Sequence, residues 1–244
     1  SLVFPVQMLM IAVSTGLGVG INSLISRRLG EKRGDAALDA AKNGIFLELC
    51  GVALFCLFGL FLSKVYMHMF TDDANLQKLG EEYLFIVTVF CLGLFMSVVF
   101  ERMLQATGNT TLSMATQLLG AIVNIILDPI MIFGLLGFPE LGLRGAAIAT
   151  AIARVVELTV PAPVVYRKRT PVAANFRQLF LRFDRDFLKR YFRTSLPVLL
   201  NETLWSTGVS LYTVAYGLLG TGALASVQIA STVFQLFLVL IRGL

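Results

Sequence analysis

Residues 111–136 read TLSMATQLLGAIVNIILDPIMIFGLL, twenty-six positions with one charged side chain, Asp128. At about 1.5 Å per residue a helix over this stretch is about 39 Å long, and the hydrocarbon core of a bilayer is about 30 Å thick. The stretch therefore predicts a membrane-spanning helix. Six further apolar runs of comparable length surround it, at roughly 2–26, 43–67, 83–104, 145–166, 195–219 and 222–241. The expected fold class is all-α, a polytopic helical membrane protein with about seven transmembrane helices. Composition agrees: 57% of the 244 residues are hydrophobic and 14% are charged. A soluble domain carries about a quarter charged residues, so lipid must serve as solvent for much of this surface.

The connections read as turns, rich in Gly, Asn and Asp: Gly30–Asp35, Gln105–Thr110, Gly137–Gly142 and Gly220–Gly222. The exception is 167–194, long and basic, with Leu179, Phe180, Phe183, Phe187, Leu188 and Phe192 set among Arg and Lys. That pattern predicts an amphipathic helix on the membrane surface and a boundary between two structural halves. The basic residues orient the chain. With the first loop on the cytoplasmic side, sixteen of the twenty Lys and Arg fall on that side, and only Lys64, Lys78 and Arg144 on the other. Arg154 lies within a helix. The net charge of +5 is thus topological and implies no nucleic-acid partner. Ser1 opens inside one apolar run and Leu244 closes another, so the chain is expected to be a piece of a longer protein.

Other classes lack their signatures. There is one His and no Cys/His cluster, which excludes a structural zinc site. Cys50, Cys56 and Cys91 all fall in apolar runs and read as buried free thiols. No Gly-rich phosphate loop and no Ser/His/Asp set is present, so no enzyme and no cofactor is expected. Residues 222–241 hold no Lys for a retinal Schiff base.

A charge inside the hydrocarbon costs roughly 3 kcal/mol on insertion scales. Four acids fall well inside the apolar runs: Glu48, Asp128, Glu157 and Glu202. Arg154 precedes Glu157 by three residues on one helix face, the spacing of a structural ion pair. Asn124 and Asp128 share a face, and Pro129 strips the carbonyl of Ile125 of its helix partner. An acid, an amide and a free carbonyl oxygen suit a small hard cation or a proton, and equally a hydrogen-bonded kink. Glu202 follows Asn201, lies five residues after Pro197, and has no basic residue within one turn of its own helix. It is the strongest single candidate for ion or proton coupling. Glu48, about a turn and a half into its predicted helix, reads as reaching Lys42 or the interface. Gln7, Gln117, Gln228 and Gln235 are candidates to line a cavity.

Particular strings then carry a resemblance. Gly18–Gly30 (GVGINSLISRRLG), Gln105–Thr110 (QATGNT), Asn124–Pro129 (NIILDP), Gly142–Thr150 (GLRGAAIAT) and Pro197 with Asn201-Glu202 occur in an order and spacing that resembles the MATE (multidrug and toxic compound extrusion) transporters. The resemblance implies twelve helices in two lobes about a central cavity, with this chain supplying about helices two to eight. Residues 1–166 would be an amino-terminal lobe lacking its first helix, 167–194 a cytoplasmic linker, and 195–244 the first two helices of a carboxy-terminal lobe. It also implies a monomeric multi-pass protein of the plasma membrane, the inner membrane in a bacterium. Such a protein exports drugs or toxic organic compounds, small and cationic, by alternating access driven by Na+ or H+. The coupling and cavity residues would be Glu202, Asp128, Asn124, Asn201 and Gln228. The alternative is a lipid-linked oligosaccharide flippase of the same superfamily, whose cavity should be lined by Arg and Lys to meet an anionic headgroup.

Overall fold

A computed structural model describes residues 3–70, 74–167, 172, 185–218, 226, 227, 230, 231, 233 and 234. Its elements are α1 (Phe4–Gly30), α2 (Gly34–Phe61), α3 (Ser63–Phe70), α4 (Ala74–Val89), α5 (Leu92–Ala106), α6 (Thr110–Phe133), α7 (Leu143–Thr159), α8 (Pro161–Arg167) and α9 (Arg185–Leu218). Regular structure among the described residues is helical throughout. Four spans are long and apolar enough to cross a membrane, Phe4–Gly30, Gly34–Phe61, Thr110–Phe133 and Leu143–Tyr166, and α4 with α5 forms a fifth, bent one. α9 has the length, 34 residues, but its Asn201, Glu202 and hydroxyl side chains keep it out of that set. The outer faces are apolar: Phe61 is 72% exposed, Met114 70% and Ile125 71%. Side chains of that kind belong in lipid, because water would drive them together.

Local chemistry sets the helix ends. Glu31 follows α1 and accepts hydrogen bonds from Arg28 (2.9 Å) and Arg27 (3.3 Å), and the Arg28 guanidinium holds its carboxyl below the usual range. α4 and α5 meet at a 40° bend. Just before it, the Thr88 hydroxyl donates to the carbonyl of Leu84 at 2.6 Å, a back-bond that bends helices. At the far end of α6, Gly134 (φ 69°) and Gly142 (φ 55°) supply left-handed backbone, and the amides of Leu141 and Gly142 donate to the carbonyls of Met131 and Ile132. That tight reversal lays α7 directly on α6. Arg144 at the head of α7 pairs with Glu82 of α4.

α1 is the hub, packed by α2, α5 and α9. Gly16 and Gly20, one turn apart, turn a flat face to α9, where a Cβ would stand 2.9 Å from Leu199 Cβ and 1.9 Å from Ser195 Oγ. Small residues allow this close approach of two membrane helices. Tyr191 of α9 is fully buried in the same seam and donates its hydroxyl to the carbonyl of Leu17 at 2.6 Å. Tyr191→Phe removes that bond while keeping the ring. We expect a loss of about 1 kcal/mol, read as a lowered thermal midpoint of the purified protein.

Three expectations change in the folded chain. Glu48 does not reach an interface. α2 begins at Gly34, so Glu48 lies 14 residues in, about 21 Å along the helix, and is fully buried. Lys42 instead meets Asp39 at 3.4 Å. Residues 185–194, expected to end a linker before a helix beginning at 195, are the first turns of that helix, α9, continuous through Pro197. The run 83–104 is two helices rather than one. The remainder of the expected linker (168–184, Val172 apart) and Gln228 lie outside the described residues, as does most of 222–241.

Candidate functional site

Asn124 and Asp128 occupy successive turns of α6, and the Asn124 amide donates to Asp128 Oδ1 at 3.2 Å. Asp128 is half-buried, immediately before Pro129 inside the helix. It lies within electrostatic reach of Tyr83 on α4, whose hydroxyl accepts a 2.9 Å bond from Gln7 of α1. Polar groups of α1, α4 and α6 therefore lie near one another.

From Gln7 a cavity of about 60 Å³ runs between α1, the α4–α5 bend and α7. Its walls are largely apolar (Met10, Ile11, Val87, Leu94), with Gln7, Thr150 and Arg154 as polar points. The volume exceeds the roughly 15 Å³ that one water needs.

Beyond Arg154 lies a second polar group. Arg154 Nη1 donates to Glu157 Oε2 at 2.8 Å, and Glu157 is 2% exposed. Glu157 packs against Gly120 of α6, where a Cβ would come 3.1 Å from its carboxyl carbon. Gln117, three residues before Gly120 on α6, donates to Glu101 of α5 at 2.9 Å, so the Glu101 and Glu157 carboxyls share one face of α6 and lie within electrostatic reach of each other. Glu101 is inconspicuous in the sequence, because Arg102 beside it looks like the end of a span. The signal that finds it is the run Gly93, Ser97, Glu101 at four-residue spacing on the buried face of α5.

A third group sits where α9 meets the other helices. Glu48 accepts from Ser14 of α1 at 3.3 Å and feels the charge of Arg102. Glu48 Oε1 and Arg102 Nε are both buried without a hydrogen-bond partner. Tyr191 of α9 lies within electrostatic reach of Glu48.

Glu202 stands apart. It is half-buried on α9 next to exposed Asn201, with no hydrogen bond or ion pair among the described residues. α9 packs on α1 while α6 packs on α7, so Glu202 and Asp128 occupy different helix pairs.

Helices of membrane-spanning length with apolar outer faces define a polytopic helical membrane protein. Residues 1–130 match the family model MatE, and the chain belongs to that family. It is 30% identical over 233 residues to the probable multidrug resistance protein NorM of Thermotoga maritima, covering 95% of this chain and 48% of that protein. Among solved structures it resembles a MATE transporter in the straight conformation, with a TM-score of 0.83 at 28% identity over 99% of this chain and 53% of that one. It also resembles the inward-facing conformation of a multidrug resistance MATE family transporter of the MOP superfamily, with a TM-score of 0.81 at 28% identity over 98% of this chain and 53% of that one. The chain spans about half the length of the relatives it matches.

Proposed function

We propose that this chain forms part of an ion-driven secondary exporter of small organic cations that works by alternating access, with Na+ or H+ as the coupling ion. The observation that carries the reading is the pair of acids in apolar runs on helices that hold an internal proline. Among the described residues Asp128 is held by the Asn124 amide alone, and Glu202 has no partner. An acid left so lightly satisfied in a membrane helix, each costing roughly 3 kcal/mol to insert, is expected where a cation or proton comes and goes. Such a ligand drives transport only by binding one cavity-open state more tightly than the other. The multidrug resistance names of the relatives support export of drugs as the direction and cargo. The flippase alternative is weaker. Arg154, the basic group on the cavity wall, is already committed to Glu157 and is not available to an anionic headgroup.

The test is drug efflux from cells producing the full-length protein. Glu202→Gln keeps size and hydrogen bonding but removes the titratable group. Efflux is expected to fall at least about tenfold, equivalent to about 1.4 kcal/mol of lost coupling. Asp128→Asn, assayed in parallel, is expected to fall likewise. Wild-type efflux from Glu202→Gln at matched protein level would remove Glu202 from the mechanism.

A further inference from the structure

An ion pair requires one acid, and Arg154 with Glu157 already makes it. Glu101 is a second carboxyl at the same place, 6% exposed and walled in by α5, α6 and α7. The charged groups that act on it are Glu157 and Arg102, with Arg154 bound behind Glu157. Arg102 turns Nη1 to Gln105 at 2.9 Å, so the arginine next in sequence makes no hydrogen bond to Glu101.

The donors can be counted. Gln117 serves Glu101 Oε2, Arg154 serves Glu157 Oε2, and Glu101 Oε1 is buried with no donor directed at it. With both acids ionised, two adjacent carboxylates would repel and one buried oxygen would be orphaned, which costs more than either hydrogen bond contributes. With both acids neutral, Arg154 would lose its counter-charge. A single proton resolves both problems. Glu157, facing the guanidinium, keeps its charge. Glu101, whose other partner is a neutral amide, carries the proton and donates it.

We propose that Glu101 and Glu157 form a one-proton site between α5, α6 and α7, in which Glu101 is a carboxylic acid hydrogen-bonded to ionised Glu157. The site is separate from Asp128 and Glu202. Gln117, its contact on α6, lies eleven residues from Asp128, about 16 Å along that helix. The cavity of about 60 Å³ reaches its edge, since Arg154 forms part of the wall. The inference does not depend on the export reading, because a bound proton is present with or without transport.

Infrared absorption of the purified full-length protein in lipid at neutral pH tests it. A protonated carboxyl absorbs above the amide band, where ionised carboxylates do not. Glu101→Gln is expected to remove the intensity of one carboxylic acid from that region, while Asp128→Asn and Glu202→Gln leave that component in place. Glu157→Gln is expected to remove the component as well, because Glu101 must then ionise to supply the counter-charge that Arg154 requires. A Glu101→Gln spectrum identical to wild type in this region would overturn the proposal. So would a retained band in Glu157→Gln, which is read separately should Glu101→Gln not yield folded protein.

Discussion

Replacing Gly145 with alanine is expected to lower the thermal midpoint more than the same change at any other described glycine. A Cβ at Gly145 would stand 2.3 Å from the carbonyl oxygen of Met131, 2.6 Å from its carbon and 3.0 Å from the amide of Ile132. All three are backbone atoms, so no rotamer change can make room. The obvious relief, moving α7 away from α6, would break the bonds from Leu141 and Gly142 to the carbonyls of Met131 and Ile132. Overpacking alone costs about 1–3 kcal/mol, and the lost turn bonds add to it. A total of about 3 kcal/mol corresponds to roughly 6–12 °C for a protein of this size. Gly208→Ala is the control. It lies inside α9 with open space around it and is expected to hold or raise the midpoint by up to about 1 kcal/mol. Equal midpoints for the two variants would mean that the α6–α7 contact is looser than described.

Arg154→Ala is expected to be nearly as damaging, for a different reason. The change leaves Glu157, 2% exposed, facing Glu101 with no cation hydrogen-bonded to it. Removing one member of a buried ion pair typically costs 3–5 kcal/mol, because the remaining charge stays desolvated. Arg154 is itself 39% exposed toward the cavity, so a value of about 3 kcal/mol is appropriate. The double variant Arg154→Ala/Glu157→Gln removes the stranded charge together with its partner. It should recover at least about half of the loss, measured as thermal midpoints of the four proteins of the cycle. Additive losses would show that Arg154 and Glu157 act independently despite their 2.8 Å contact.

The sequence was most readable where one helix carries the whole signal. Apolar runs at 111–136 and 145–166 correspond closely to α6 and to the α7–α8 span, because spanning length depends only on rise per residue and bilayer thickness. Arg154 and Glu157 meet because three residues along a helix face are neighbours in any fold. Asn124 and Asp128 meet for the same reason one turn apart. Readings that depended on helix ends fared worse. Polar Asp39, Lys42 and Asn43 disguise the first turns of α2, which placed Glu48 too near the surface. Charged Lys189 and Arg190 likewise disguise the start of α9.

What the amino-acid sequence determined by itself is therefore a helical membrane protein, the acids it keeps in its spans and the pairs that lie on a single helix. Those follow from hydropathy, charge and a period of 3.6 residues, which are properties of one segment at a time. Only the tertiary structure decided which acids meet across helices. The bend after Thr88 and the flat Gly120 bring Glu101 to Glu157. The reversal at Gly134–Gly142 sets α7 against α6, and Gly16 and Gly20 admit Tyr191 within electrostatic reach of Glu48. Each of these depends on how closely two backbones approach and at what angle. A list of residues along one chain does not contain that information.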